Sequence, residues 1–307
     1  MELDKNYEST TIVYFPTTAD GKTDVHDVPS VLYIVLGAFA ALENALVLFL
    51  VLTSKKLRME RNVFLFSLSL ADFAVGILSF LIFFNIFYES FVFVAVLDAM
   101  FLVSMFSISA VAIERYIVIV AAPFTYKNVM TLERCIIVCV LIWILTISVF
   151  IAVYTYVYNK YSQLAFCILS LILLIANYIL YFRISISLRK NDRNVTEKLG
   201  NNAVGRSQKL IRSFSILLVV STICWLPLCC FFIIAVVDKS VDENAFVLHI
   251  LYCLFMSNSL VNPFIYWYRL PGIKEGIYDL ACCWRPGVRE KDRAQNTTSM
   301  TVSTSAV

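Results

Sequence analysis

Charged side chains are scarce in this sequence. They make up 15% of its 307 residues, whereas 60% are hydrophobic, and soluble domains usually contain about 25% charged residues. The hydrophobic residues are concentrated in blocks, which excludes an ordinary soluble protein and indicates a chain that crosses a membrane several times. We expect no cleavable signal peptide, because residues 1–29 are polar and acidic and lack an apolar core.

Histidine is also in short supply, and its scarcity argues against an enzyme. An intramembrane enzyme needs a catalytic pair or a metal cluster. The two histidines, His26 and His249, lie far from any group of cysteines. The two halves of the sequence show no similarity of the kind found in transporters. We therefore expect no enzyme, and a transporter or channel is a remote alternative.

Seven stretches are apolar enough to cross a bilayer, for which a helix needs about 20 residues. They cover residues 31–53, 62–87, 92–118, 135–157, 164–188, 210–236 and 245–267. We predict an all-α fold, in which residues 31–268 form a seven-transmembrane helix bundle and residues 269–283 a short amphipathic eighth helix. Residues 1–30 are predicted to form an extracellular tail, and residues 284–307 a disordered cytoplasmic tail.

The basic residues lie mainly on one side of the predicted bundle. If the amino terminus is outside, all but four of the 25 Lys and Arg residues face the cytoplasm, as positive residues do in membrane proteins. The four on the outside are Lys5, Lys22, Lys160 and Lys239. We therefore predict a multi-pass plasma-membrane protein with an extracellular amino terminus, in contact with membrane lipids and without a nucleic-acid partner.

Three acidic residues, Glu43, Asp72 and Asp98, fall inside the predicted spans, and no Lys or Arg lies well inside one. A charged side chain within the bilayer is costly, so such residues are functional candidates. We interpret Glu43 as structural. Asp98 lies about 25 Å from Arg115 along the helix axis, near the outer mouth, where it faces either a central cavity or span four.

Asp72 is a candidate cation ligand. Ser104 on span three and Asn258 and Asn262, one turn apart on span seven, place further oxygen atoms at about the same depth. We predict that Asp72, Ser104, Asn258 and Asn262 bind a sodium-type ion. The alternative is a neutral polar network that fixes the packing of the helices.

Span three is predicted to form the wall of a ligand pocket. Leu97, Phe101 and Ser104 are three or four positions apart and therefore share one helix face. The presumed pocket is mostly apolar and rich in aromatic rings, and it comprises Leu97, Asp98, Phe101, Trp225, Phe231, Phe232 and Met256. The alternative is that these rings only pack the bundle.

Several motifs occur together, in order and at matching depths, although each alone is weak. They are Asn44, Leu70-Ala71-Asp72, Glu114-Arg115-Tyr116, Trp143, Cys224-Trp225-Leu226-Pro227 and Asn262-Pro263-Phe264-Ile265-Tyr266. On these motifs the chain resembles the rhodopsin-like (class A) G-protein-coupled receptors over all seven spans. The resemblance implies a receptor that transmits an extracellular signal to heterotrimeric G proteins, with arrestin and a receptor kinase as further partners.

The resemblance also implies roles for single residues. Arg115 would leave its partner Glu114 and contact the G protein. Trp225 would respond to the ligand, and Pro227 would be the pivot for an outward movement of span six. The residues that the resemblance assigns to the switch and to G-protein coupling are Glu114, Arg115, Tyr116, Tyr181, Asn262, Pro263 and Tyr266.

The chain departs from the family pattern at four positions. Ser90 replaces the usual cysteine at the outer end of span three, and Leu173 replaces the usual proline of span five. Ser207 stands where many members have an acid that pairs with Arg115, and Ser221 stands where a phenylalanine is common. Less restraint on Arg115 predicts raised basal signalling.

The ligand is not assigned by these features. The missing cysteine and proline, the triplet Leu42-Glu43-Asn44 and the short second outer loop resemble the melanocortin, lysophospholipid and cannabinoid receptors, and Asn258-Ser259-Leu260 is similar to the adenosine receptors. Their ligand-binding residues do not carry over: the acids of melanocortin receptors fall on Ile82, Ser90 and Val94. We favour a lipid or a mixed apolar-cationic ligand, with a melanocortin-like peptide or an adenosine-like ligand as the alternative.

The positions of the cysteines bear on disulfide bonds at the outer face and on lipid attachment at the inner one. Only Cys167 and Cys253 lie toward the outer side, so we expect no disulfide on the outer face. Cys282 and Cys283 end the predicted eighth helix at the inner membrane surface. We interpret them as candidate palmitoylation sites, with two inert thiols as the alternative.

Overall fold

Seven long helices run through the computed structural model of this chain. The residues that it describes are 28–54, 57, 62–83, 91–121, 125–157, 160–190, 201–237, 245–269, 273 and 276–278. The long helices are α1 Val28–Thr53, α2 Val63–Phe83, α3 Phe91–Tyr116, α4 Leu132–Val157, α5 Lys160–Lys190, α6 Asn201–Val237 and α7 Ala245–Arg269. Each contains a stretch long and apolar enough to cross a membrane. The predicted seven-span, all-α fold is confirmed, and the described residues include no strand.

The helix ends differ in places from the prediction. A π-helical turn, Ile117–Ala121, continues α3, and a short helix, Tyr126–Val129, follows it before α4; we call the latter the loop helix. α5 and α6 extend past their apolar stretches, which are Leu164–Ser187 and Ser215–Val237. The largest extension is at the start of α6, where residues 201–214 precede the apolar stretch.

Small hydroxyl side chains satisfy their own hydrogen-bonding groups within the helices. A bilayer offers no water to a hydroxyl, so the cheapest acceptor is the main-chain carbonyl one turn earlier. Side chains that donate to the carbonyl four residues back are Thr53, Ser109, Thr155, Ser170, Thr222 and Ser257. These bonds explain how a strongly apolar helix accommodates polar side chains.

α3 is the central helix of the bundle. Its apolar stretch is 72% buried, against 17% for that of α4. α3 packs on α2, α4 and α5, while α1 packs on α2 and α7, and α6 lies between α5 and α7. Large side chains on α4, such as Ile136, Ile144 and Leu145, are exposed. A broad exposed apolar surface of this kind is suited to lipid tails.

α1 and α2 approach each other closely at two glycines. A Cβ atom placed on Gly76 would lie 2.6 Å from the main-chain oxygen of Gly37 and 2.6 Å from the main-chain nitrogen of Ala41. Real Cβ atoms do not approach that closely, so the contact depends on the absence of a side chain. Small residues commonly permit such close packing between membrane helices.

Little of the predicted eighth helix lies among the described residues. Ile273 and residues 276–278 are helical, Ile273 is buried against the bundle and Tyr278 is exposed. A Cβ on Gly276 would lie 3.0 Å from a methyl group of Leu50, so this segment packs against α1. The remaining positions of the predicted helix, with Cys282 and Cys283, and both predicted tails apart from the start of α1, lie outside the described residues.

Candidate functional site

A buried polar cluster surrounds Asp72 in the middle of the bundle. The Ser259 hydroxyl donates to Asp72 Oδ1 at 2.9 Å, and Asn262 Nδ2 donates to Asp72 Oδ2 at 2.5 Å. Ser104 of α3 lies beside the same carboxylate, and Asn44 Nδ2 of α1 donates to the main-chain oxygen of Ser259 at 3.0 Å. The cluster therefore joins α1, α2, α3 and α7.

Asn258 faces a different helix from the other predicted cation ligands. Its Oδ1 accepts a 2.8 Å hydrogen bond from the Ser221 hydroxyl of α6. Three of the four predicted ligands, Asp72, Ser104 and Asn262, thus lie together, and Ser259 completes the cluster. Asn262 Oδ1 is buried and has no hydrogen-bond partner within the described part of the chain. Carboxylate, hydroxyl and amide oxygens are the ligands that hard cations prefer, so these side chains fit a sodium ion.

Asp98 is buried between α3 and α4. The Tyr154 hydroxyl of α4 donates a hydrogen bond to Asp98 Oδ2. The sequence left two orientations open for this residue. It contacts α4 and also borders a small cavity in the half of the bundle away from Arg115, which we call the outer cavity. The carboxylate therefore lies within reach of a group that enters this cavity.

The outer cavity is small. Its volume is about 10 Å³, and its walls are Tyr33, Leu97, Asp98, Phe101, Tyr252, Phe255 and Met256. A space of this size holds about one water molecule, whereas ligand pockets usually measure about 300–1,000 Å³. If this cavity is the predicted ligand pocket, a ligand has to displace side chains to enter it.

A cluster of aromatic rings fills the floor beneath this cavity. Phe255 contacts both Phe101 and Trp225, with ring centroids 4.1 and 4.7 Å apart. The ring of Phe166 stacks on Trp225 at 5.8 Å. Such ring pairs add about 0.5–1.5 kcal/mol beyond the burial of their area. The cluster connects α3, α5, α6 and α7 at a single depth.

The carboxyl-terminal end of α3 holds an ion pair that a third residue contacts. Arg115 Nη2 lies 3.5 Å from Glu114 Oε2, and the Tyr126 hydroxyl of the loop helix donates to Glu114 Oε1 at 3.2 Å. Burial and the nearby charge of Glu114 raise the pKa of Tyr126 to about 12. The phenol is therefore protonated and able to donate at physiological pH.

Arg134 at the start of α4 fixes the loop helix in place. Its guanidinium donates to the main-chain oxygens of Asn128 and Val129, at 2.8 and 3.1 Å. The last carbonyls of a helix have no partners within the helix, and an arginine can satisfy them. Arg134 thereby supports the position from which Tyr126 reaches Glu114.

The comparison with known protein families shows to which family this chain belongs. A family model described as 7 transmembrane receptor (rhodopsin family) matches residues 43–266. The match covers more than half of the chain and includes Asp72, Arg115, Trp225 and Pro263. The chain belongs to the rhodopsin family of seven-transmembrane receptors. It is thus a multi-pass membrane protein and a G-protein-coupled receptor, as its motifs predicted.

The receptor is similar to melanocortin receptors over most of its length. It is 26% identical to Melanocortin receptor 4 of Danio rerio over 278 residues. This alignment covers 82% of this chain and 83% of that relative. Melanocortin receptor 5 of Rattus norvegicus is 26% identical over 274 residues, and that of Mus musculus 25% identical over 274 residues, each with the same coverage of both chains.

The remaining predicted switch residues of this receptor lie in its inner half. Tyr181 and Tyr266 are buried and interact electrostatically with each other, and Tyr116 is half-buried. Pro227 lies inside α6 and Pro263 inside α7. Asn262, another predicted coupling residue, belongs to the Asp72 cluster itself.

Three of the seven predicted pocket residues do not line the cavity. Phe231 and Phe232 contact each other, with ring centroids 5.8 Å apart, and Trp225 lies in the floor rather than the wall. Leu97, Asp98, Phe101 and Met256 border the cavity as predicted. The Ser207 side chain lies outside the described residues, so the prediction about its effect on Arg115 stays a prediction.

The sequence did not predict several residues of these sites, and four of them show why. Ser259 follows Asn258 and lies three positions before Asn262, a spacing that would have suggested it. Phe166 and Phe255 are single aromatics among many in apolar helices, and no pattern distinguishes them. Tyr126 lies in a loop, where helical periodicity gives no information about which way a side chain points.

Proposed function

We propose that this receptor transmits the binding of an extracellular ligand to heterotrimeric G proteins at the plasma membrane, with its amino terminus outside. The pairing of Glu114 with Arg115 at the cytoplasmic end of the central helix carries the proposal. Arg115 Nε is buried and has no hydrogen-bond partner among the described residues. Arg115 is held by its ion pair with Glu114. It can leave this carboxylate and donate instead to acceptor groups of a G protein.

The receptor has two states that differ in the position of the inner half of α6. In the closed state Arg115 stays with Glu114. In the open state α6 moves outward about Pro227, which has no backbone N–H and therefore weakens the helix at that point. A ligand favours the open state only to the extent that it binds this state more tightly than the closed one.

The aromatic cluster links the outer cavity to this pivot. Phe101 and Phe255 border the cavity, and Phe255 also contacts Trp225. Trp225 lies two residues before Pro227 on α6. A ligand that displaces either phenylalanine therefore changes the packing of Trp225 next to the pivot.

The cavity favours a lipid or a mixed apolar-cationic ligand. Leu97, Phe101 and Met256 supply an apolar wall, and Asp98 supplies an acid that a cationic group can pair with. The named relatives are melanocortin receptors, so a melanocortin-like peptide is the alternative, followed by an adenosine-like ligand. None of these ligands fits until the closed cavity opens.

Further partners follow from the same proposal. A sodium ion binds among Asp72, Ser104 and Asn262, where it neutralises the buried carboxylate; Asn258 joins this set only when it leaves Ser221. Arrestin and a receptor kinase act on the cytoplasmic side, and acyl chains on Cys282 and Cys283 attach the end of the eighth helix to membrane lipids.

A G-protein activation panel in cells tests the proposal. The receptor is challenged with lipids, amines, peptides and nucleosides, alongside Arg115→Ala and Asp98→Asn. We expect Arg115→Ala to abolish coupling. We expect Asp98→Asn to lower only the potency of a cationic ligand, by about 10- to 100-fold, because a hydrogen bond to a charged group is lost.

The control is Arg183→Ala, which removes an exposed arginine from the same side of the membrane and should keep coupling. Failure of every ligand class to activate any G protein, with no difference between the receptor and its Arg115→Ala variant in basal activity, would contradict the proposal.

A further inference from the structure

One hydrogen bond ties α6 to the polar centre of the bundle. The Ser221 hydroxyl donates to Asn258 Oδ1 at 2.8 Å, and both side chains are fully buried. Asn258 Nδ2 is buried too and has no hydrogen-bond partner within the described part of the chain. The orientation of this amide is therefore held by Ser221.

The bond reaches the Asp72 cluster through adjacent positions of α7. Asn258 is followed by Ser259, which donates to Asp72, and Asn262 lies one turn further on and donates to the same carboxylate. A shift of Asn258 consequently changes the surface of α7 that carries two partners of Asp72. The Ser221 bond thus connects α6 to the cluster that joins α1, α2, α3 and α7.

The bond also lies next to the aromatic contact between the same two helices. Trp225 is four residues after Ser221, and Phe255 is three residues before Asn258, so the two contacts stand one turn apart along one seam. The rings of Trp225 and Phe255 are 4.7 Å apart. A ligand that moves these rings therefore acts beside the hydrogen bond.

Ser221 belongs to the segment of α6 that moves. It precedes Pro227 by six residues, about 9 Å along the helix, on the cytoplasmic side of the pivot. Outward movement of this segment separates Ser221 from Asn258. A phenylalanine, which is common at this position in the family that the chain resembles, could not donate the bond.

We propose that the Ser221–Asn258 hydrogen bond is a latch that holds the inner half of α6 against α7 and thereby sets the basal activity of the receptor. Ser221 is a positioning residue, and the inference rests on the proposed G-protein function. Loss of the bond destabilises only the closed state, because the bond is already absent in the open state. The latch changes the ratio of the two states by about three- to tenfold, the range expected for one hydrogen bond.

The test is a double-mutant cycle on ligand-free nucleotide exchange. Full-length receptor in cell membranes is assayed for basal GTPγS binding to each class of Gα, normalised to the number of receptors at the surface. Ser221→Ala and Asn258→Ala should each raise basal exchange about three- to tenfold. The double variant should exceed neither single variant, because both substitutions remove the same bond.

Two variants separate loss of the bond from loss of packing. Ser221→Thr keeps the hydroxyl and should stay within about twofold of the unmodified receptor. Ser221→Cys keeps the size of the side chain with a weak donor and should fall between Ser221→Ala and the unmodified receptor. If Ser221→Ala does not reach the cell surface, Ser221→Cys takes its place in the test. The matched control is Ser257→Ala, since that hydroxyl donates within its own helix to the Cys253 carbonyl; it should leave basal exchange unchanged.

The outcomes distinguish this inference from the function on which it rests. If Arg115→Ala lowers basal exchange but Ser221→Ala and Ser221→Cys leave it unchanged, the receptor couples to G proteins and the latch is wrong. Additive effects of Ser221→Ala and Asn258→Ala would also overturn the latch. If no variant differs from membranes without receptor, the proposed function and the latch are both overturned.

Discussion

The Tyr126 hydroxyl donates to Glu114 Oε1 at 3.2 Å, while the other oxygen of the same carboxylate faces Arg115 at 3.5 Å. The loop helix and the arginine therefore share one buried acid. Any change in the position of the loop helix alters how firmly Glu114 holds Arg115. We therefore expect the loop to take part in the proposed switch, although it lies outside the seven spans.

Tyr126→Phe removes this hydrogen bond and keeps the ring. Glu114 then loses a hydrogen-bond donor and keeps its ion pair with Arg115, which favours the closed state. We expect basal G-protein activation to fall about two- to fivefold, as for the loss of one hydrogen bond of about 0.5–1 kcal/mol. Basal GTPγS binding measures it, with Tyr156→Phe, which removes a hydroxyl from an exposed tyrosine of α4, as the control. Unchanged or raised activity would contradict this role.

The same bond should be insensitive to pH over the physiological range. The pKa of Tyr126 is raised from 10.0 to about 12 by burial and by the charge of Glu114. Its contribution to stability is therefore fully present below pH 10 and is lost as the pH rises through 12. The difference in phenolate absorbance between the purified receptor and its Tyr126→Phe variant should appear near pH 12. A transition near pH 10 would show that the phenol is not held in this environment.

Asp72→Asn should abolish stabilisation by sodium. The carboxylate supplies the only charge that we assign to the proposed ion site, and an ion that binds the folded state alone raises its stability. In NaCl rather than choline chloride, the purified receptor should unfold about 3 °C higher, and the Asp72→Asn variant should show no difference. Asp98→Asn, which removes a buried acid at another depth, should keep the full response. Equal responses of all three proteins would exclude this ion site.

Gly76→Ala should destabilise the receptor more than Gly37→Ala does. The new Cβ on Gly76 would lie 2.6 Å from main-chain atoms, whereas a Cβ on Gly37 would lie 3.3 Å from the nearest one. Overpacking of this kind costs about 1–3 kcal/mol. The melting temperature and the surface expression of both variants measure the effect. A larger fall in melting temperature for Gly37→Ala than for Gly76→Ala would contradict the close approach of α1 and α2 at Gly76.

The sequence was informative where the bilayer imposes a requirement. A span needs about 20 apolar residues, so the seven helices could be counted, and an acid such as Asp72 stands out within one. The rotation of each helix about its axis was harder to infer. Asn258 and Ser259 are neighbours about 100° apart on α7, and only the packing of α6 determines that the first faces Ser221 and the second Asp72.

Other features depend on contacts that no local pattern records. The closure of the outer cavity results from the side-chain conformations of Phe101 and Phe255, which are set by neighbours on other helices. The sequence is compatible with Asp98 facing either the cavity or α4. The contact with α4 depends on the Tyr154 hydroxyl, which lies at the same depth in the bundle and donates to Asp98. Tyr126 was not predictable because the conformation of its loop depends on Arg134.

The near absence of free space in the outer cavity has a kinetic consequence. A ligand of ordinary size can enter only after the rings of Phe101 and Phe255 separate, because the cavity holds about one water molecule. The rate of association should therefore level off as the ligand concentration rises, at the frequency with which the receptor opens by itself. Compounds that differ greatly in affinity would then share one limiting rate of entry and differ mainly in how long they stay.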